Sequence, residues 1–385
     1  AAANAYLDTF AAAQHAMGNT QVVAINWPAW KTTGMAASMV SGAGGQILPA
    51  GEPIDQVMLQ RKVSGESAGL KYAALYTVAD SWVIAEHRLK GSQCLMPGTG
   101  YLEIMREVCE EVFQENQMGI RLCDVSFMLP FVVRDNEAAA LYVDVSSFGA
   151  TDQLKISLYS FLDNEKIEHV SALAEKANTL SEPTDIQQIR ARCQIKQQHF
   201  NDPEHHPFLD FGDRWSSLQL VSVGNEEAVV DIELPEQYRA EVGRYQWHPA
   251  MLDMAIAGAQ IINPRLDPVS ELYVPVAFDR IVGQRQLPAK IVSHVRYRPS
   301  ASDKQSQQDI AEFDVDIYSV SGELLMQIER FTMQRISDIE GLKQSLGGES
   351  QVDIDPMLKR TLELGITNHE GCLLYTSDAA DDDAC

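Results

Sequence analysis

The period of the apolar positions changes several times along the chain, and these changes divide it. Over 1–17 (AAANAYLDTFAAAQHAM), Tyr6, Phe10 and Ala13 recur at helical spacing, which predicts a helix. The run TQVVAIN at 20–26 is short, apolar and β-branched, as expected of a buried strand in a parallel sheet. With the loop WPAWKTTGMAA behind it, this pattern fits the end of a Rossmann-like, doubly wound α/β domain over 1–40, opening mid-pattern as in a piece of a longer chain. Gly and Pro then crowd the stretch SGAGGQILPAGEP and predict a linker, placed at 41–66.

From Lys71 onward strand-like patterns dominate. A first series covers 71–78, 80–89, 120–133, 139–148, 154–162 and 166–176; a second covers 215–224, 227–234, 290–299 and 311–336, the last turning at VSGE (320–323). One helix-compatible stretch interrupts each series: GTGYLEIMREVCEEVF at 98–113 and PAMLDMAIAGAQII at 249–262. Two strand sets, each with one apolar helix, predict an α+β domain over 67–338 made of two similar halves, 67–178 and 184–338. Residues 339–371 read as a polar linker or tail. The final CLLYTSDAADDDAC (372–385) has four Asp in its last eight residues and reads as a non-native tail.

Composition narrows the function. The chain has 54 Asp+Glu against 30 Lys+Arg, a formal net charge of −24, which excludes the basic footprint that nucleic acid requires. No polybasic segment or long apolar run points to a membrane. The hydrophobic content of 45% is sufficient for a packed core. Six Cys without CxxC spacing read as reduced thiols of a cytoplasmic protein. His199, His205 and His206 lie in a polar, Pro-containing loop, and no metal site is expected.

Two stretches carry candidate chemistry. In EHRLKGSQCLMPGTGY (86–101) His87 leaves a strand and Pro97-Gly98 opens the first helix, whose unpaired N–H groups suit a carbonyl gaining negative charge. A histidine there suits removal of a proton beside such a carbonyl. The plainer alternative is a structural His before an ordinary Pro-started helix. In WHPAMLDMAIAGAQ (247–260) Asp253 sits one turn into an otherwise apolar helix. A solvent-facing carboxylate favoured by the helix dipole is the alternative for it.

Together these stretches resemble the dehydratase domain of modular (type I) polyketide synthases. The resemblance runs from about Lys71 to Ile336 and rests on His87-xxx-Gly91 before Met96-Pro97-Gly98, on PGTGYLE, on His248-Pro249 with Leu252-Asp253, and on the closing hairpin. It implies a double hotdog, two antiparallel sheets each wrapped around a central helix. It also implies removal of water from a 3-hydroxyacyl thioester on the phosphopantetheine of an acyl carrier protein, giving the 2-enoyl thioester. His87 is then the base, Asp253 the acid and the Gly98 N–H the oxygen holder, with Pro97, Phe211, Gly212, Ala257 and Gln260 toward substrate. No cofactor is implied for the dehydratase. Partners would be the carrier protein, other synthase domains and a second copy in a homodimer. The rival readings are a non-catalytic double hotdog serving dimerisation or carrier positioning, and a double-bond isomerase or cyclase.

Three departures from the family pattern stand out. Gly91 and Pro97 enclose five residues where the family has four. Ala257 replaces a Gln or His four residues after the Asp, leaving Gln260, one turn on, as a substitute. The family's Tyr-Gly-Pro appears as Phe211-Gly212-Asp213. The opening 1–40 resembles instead the end of a synthase ketoreductase, a short-chain dehydrogenase relative, with Asn4 in its active-site helix position. NADPH would belong to the intact ketoreductase; this portion is too incomplete to be active.

Overall fold

The computed structural model describes residues 48–336 with 339 and 341, apart from 64–68, 115–118, 149–152, 163–164, 178–183, 200–205, 264–270, 285 and 300–308. The 1–40 segment with Asn4, His205 and the 372–385 tail lie outside the described residues.

The first half contributes β1 (Gly51–Pro53), β2 (Arg61–Val63), β3 (Leu70–Thr77), a single helical turn α1 (Trp82–Ala85), β4 (His87–Leu89), β5 (Cys94–Leu95) and the long helix α2 (Gly98–Phe113). It continues with β6 (Gly119–Phe127), β7 (Val132–Val133), β8 (Ala138–Phe148), β9 (Gln153–Leu162) and β10 (Glu165–Ala177). The second half has α3 (Ile186–Arg192), β11 (Lys196–His199), β12 (Leu209–Phe211), a 3-10 turn (Asp213–Ser217), β13 (Leu218–Val223), β14 (Glu227–Glu233) and a second 3-10 segment (Glu236–Gly243). Helix α4 (Pro249–Ile262), β15 (Leu272–Gly283), β16 (Lys290–Arg298), β17 (Ile310–Ser319) and β18 (Leu324–Ile336) complete it. Both long helices coincide with the segments their apolar spacing marks.

The two halves do not keep separate sheets. Seven strands of each join edge to edge through an antiparallel β6–β15 pair, with Phe278 opposite Val125, to give one fourteen-stranded sheet. Strands β12, β4, β5 and β7 make a small second sheet that mixes the halves. β15 is not among the stretches expected to be strands, and it contains Pro275, a residue that usually breaks a ladder. Here the register of β15 against β18 shifts between Pro275 and Ala277, and that irregularity accommodates it.

Two other expectations need correction. Residues 80–89 are not one strand: Ile84 N and Ala85 N donate to the Ser81 carbonyl at 3.0 and 2.9 Å, winding Trp82–Ala85 into a turn before β4. Nor does the predicted linker persist to residue 66. β1 and β2 pair with each other and β2 pairs with β3, while Met58 and Leu59 are buried. A carboxylate holds this stretch: Glu107 on α2 accepts from Val57 N, Met58 N and Leu59 N at 3.0, 2.9 and 2.9 Å.

Helix α2 is buried continuously from Thr99 to Cys109, charged residues included. Its charges are therefore satisfied internally, as burial demands. Arg106 pairs with Glu103 (3.0 Å) and Glu110 (2.6 Å). Glu103 in turn accepts from Gln246 N at 3.0 Å and Trp247 N at 2.8 Å, gripping the approach to α4. Thr99 Oγ1 donates to the Pro249 carbonyl at 3.0 Å, so the first turns of the two central helices are tied together.

Glu103 therefore joins the halves. Glu103→Ala would leave Arg106 with Glu110 as its remaining ion-pair partner and strand two backbone N–H groups in the core. It should cost about 3 kcal/mol, the low end of the range seen when a buried ion pair loses one partner. A drop in the urea midpoint with unchanged slope would register that loss.

Candidate active site

Strand β4 delivers His87 and turns back at Gly91, whose φ of +71° favours glycine. The return strand β5 brings Leu95 under the imidazole, and His87 Nδ1 lies 3.1 Å from the Leu95 carbonyl oxygen. A carbonyl only accepts, so Nδ1 carries the hydrogen and Nε2 keeps its lone pair. On the other side β12 pairs with β4, setting Phe211 opposite His87, with ring centroids 5.7 Å apart.

Asp253 is the one carboxylate on α4, among buried Met251, Leu252, Met254, Ala255 and Ile256. Its Oδ2 accepts a 2.8 Å hydrogen bond from the indole Nε1 of Trp215. No other hydrogen bond to it is formed among the described residues. Burial pushes the Asp253 carboxyl up, against the opposing pull of the His87 charge and the indole. Burial pushes His87 down, against the Asp253 charge and the Leu95 bond. Both shifts favour the same state, a neutral imidazole and a neutral carboxyl group.

Comparison with known proteins gives this geometry a family. A model described as "Polyketide synthase dehydratase domain" matches residues 57–161, and one described as "Polyketide synthase dehydratase N-terminal domain" matches 179–343. The chain carries a polyketide synthase dehydratase domain. Polyketide synthase PksM of Bacillus subtilis (strain 168) is 20% identical over 297 residues, covering 73% of this chain and 7% of that synthase. The chain thus spans only a small part of that relative. A trans-AT synthase dehydratase domain from Brevibacillus brevis shares the fold at a TM-score of 0.64 and 18% identity, over 73% of this chain and 98% of that one. The CurK dehydratase of the curacin synthase, solved as an aspartate-to-asparagine inactive mutant, does so at 0.61 and 20%, over 72% and 97%. The fold is the double hotdog, and the enzyme class is hydro-lyase.

The dehydratase domain holds its site with an ion network that spans the halves. Arg214 donates through its backbone N to Glu86 Oε2 (3.0 Å), and its guanidinium pairs with Glu86 and, at 2.9 and 2.6 Å, with Glu241. The same guanidinium lies 4.5 Å from the Trp82 ring and 4.1 Å from that of Tyr238. Buried His248 approaches Glu241 at 3.4 Å and stacks on Trp82 at 5.1 Å. Trp82 Nε1 donates to the Tyr245 hydroxyl at 2.9 Å. Cross-half packing of Trp82 thus accounts for the helical turn that sequence reading took for strand.

The remaining sequence candidates fall as follows. Pro97 is the buried residue before α2, and Gly98 opens the helix beside Phe127 and Pro275. Phe211 stacks on Trp215 (5.9 Å, 13°) and meets His206 edge-on at 5.5 Å. Gly212 serves close packing: a Cβ there would lie 2.1 Å from Glu86 Cγ, while its N–H donates to the Glu86 carbonyl at 3.0 Å. Ala257 packs against the apolar core, and Gln260 makes no hydrogen bond to Asp253. The substitute amide expected of Gln260 is therefore not in place, because an indole from another element occupies that role. His206 accepts from Leu209 N at 3.0 Å, and burial holds it down at about 4. No cluster of three or more potential metal ligands occurs among the described residues.

The sequence does not separate a place for Arg214 and Trp215 at the substrate entrance from one simply covering the core, and it does not connect Glu86 or Glu241 to the site. One signal was available: Trp215 follows Phe211 by four residues in the segment that bears the altered Phe-Gly motif.

Burial pushes Glu241 up, but His248 and Arg214 outweigh it and hold its carboxyl at about 2. A depressed carboxyl contributes stability that is complete above its ordinary value of 4.5 and lost as pH falls through about 2. Arg214→Met should therefore flatten the acid limb of a stability-versus-pH curve measured by urea unfolding, and lower neutral stability by about 3 kcal/mol.

Proposed function

We propose that the domain dehydrates a 3-hydroxyacyl thioester carried on the phosphopantetheine arm of an acyl carrier protein, releasing the 2-enoyl thioester. His87 Nε2 takes the proton from the α-carbon. The α-carbon electron pair forms the new double bond, and the β-hydroxyl leaves as water with the proton of Asp253. The pair resets when the proton on His87 returns to Asp253 through solvent. Gly98, at the positive end of α2, offers its N–H to the thioester oxygen as charge develops there.

One observation carries this reading: His87 from the first half and Asp253 from the second border the same Trp215 indole, 5.8 Å between rings and 2.8 Å from Nε1 to Oδ2, where desolvation favours a neutral base and a protonated acid. Supporting it, the CurK dehydratase is inactive with an aspartate-to-asparagine or a histidine-to-phenylalanine change, the same residue types. The carrier protein, a second copy and neighbouring synthase domains are the partners, and no cofactor takes part in the proton transfers. Residues 1–40, with Asn4, are the remnant of the ketoreductase whose reduction of a 3-oxo group supplies the hydroxyl.

Mass spectrometry of a 3-hydroxyacyl carrier protein treated with the chain should show loss of one water. His87→Ala and Asp253→Asn should each lower turnover by ~10²–10⁴-fold with the fold intact. An unchanged mass across chain lengths and both hydroxyl configurations would reject the proposal. The pH profile has a defined sense. Turnover falls on the acid side as His87 takes a proton, with a midpoint below its ordinary 6.5, and on the alkaline side as Asp253 loses one, at a pH above its ordinary 3.8.

A further inference from the structure

We infer that Trp215 is the positioning residue of the acid: its indole N–H fixes one carboxyl oxygen of Asp253 and leaves the other to carry the proton toward substrate. The inference rests on the dehydratase reading of His87 and Asp253. The geometry is specific. Nε1 is 2.8 Å from Oδ2, and no other described donor reaches Asp253. Oδ1 is then the oxygen free to bear the acid proton, since a carboxyl group has one hydroxyl and Oδ2 faces a donor.

The indole cannot easily turn away. Trp215 is 1% exposed, stacked on Phe211, and edge-on to Trp82 at 5.8 Å. Its backbone N–H donates to the Gly212 carbonyl at 3.1 Å, and the preceding Arg214 is locked between Glu86 and Glu241. Its ring also lies 5.8 Å from that of His87, so one side chain borders both the base and the acid. The indole thus serves where Ala257 offers no polar group along the helix. A neutral N–H also favours the carboxylate only modestly, so the carboxyl can remain protonated where a cationic partner would ionise it.

Two variants test this. Trp215→Phe removes the donor, and benzothienylalanine at 215 keeps the bicyclic shape while replacing N–H by sulfur. Each should lower kcat roughly tenfold, the scale of one neutral hydrogen bond, with KM nearly unchanged. The alkaline limb of the pH–rate profile should move upward, because the indole bond pulls Asp253 down. Adding Ala257→Gln to Trp215→Phe should restore part of kcat. Wild-type kcat and pH limb in the benzothienylalanine protein would overturn the inference, as would a raised KM with kcat unchanged. A second readout does not need turnover: the Trp215 indole N–H resonance should titrate with Asp253 and stop titrating in Asp253→Asn. A titration-silent indole overturns the positioning role, whereas an inactive wild type with a titrating indole faults the dehydration reading alone.

Discussion

A single guanidinium, that of Arg214, sits between carboxylates from the two halves of the domain, Glu86 and Glu241, and the site's geometry follows from that choice. Glu86 is the residue before His87, and Arg214 is the residue before Trp215, so one ion pair fixes the His87 imidazole and the indole together. Glu241 extends the network to His248, which precedes Pro249 at the start of α4 and stands five residues before Asp253. Ion pairs shielded from water add little net stability, because desolvation offsets much of their attraction. Their effect here is registry: other arrangements of the halves would leave one of three charges unpaired in a poorly hydrated place.

The same logic operates in α2. A helix enclosed on all sides is normally apolar throughout, yet this one buries Glu103, Arg106 and Glu107. Each carboxylate meets backbone N–H groups of a distant segment: Glu107 those of 57–59, Glu103 those of 246 and 247. The helix thereby draws the N-terminal strands and the entrance to α4 onto itself. Thr99 completes the junction at Pro249, where the two helix starts meet.

Local polarity then sets the chemistry. Asp253 lies near a helix N-terminus, which favours its charge, but apolar neighbours and shortage of donors act against that charge. The Leu95 carbonyl chooses the tautomer of His87, and it can do so because Gly91 lets the chain fold back within a few residues.

Much of this was legible in the sequence. Apolar periodicity marked α2 and α4 over their full lengths, and the 320–323 turn and most strands followed from local pattern. The paired motifs singled out His87 and Asp253. The rest depended on contacts between residues far apart, to which periodicity is blind: a pattern says that a face is buried, not what buries it. Trp82–Ala85 is apolar enough for strand or helix, and packing against Tyr245 and His248 decided for a helical turn. Residues 57–59 looked like linker until Glu107, some fifty positions on, supplied acceptors for their N–H groups. Edge pairing of β6 with β15 left no local trace. Whether Asp253 had a partner was equally invisible, because the donor came from Trp215 on another element rather than from the helix turn where spacing would have placed it. Sequence singled out His87 and Asp253 as candidates; tertiary structure decided what holds them, since hydrogen bonds between elements depend on distances that only the folded chain defines.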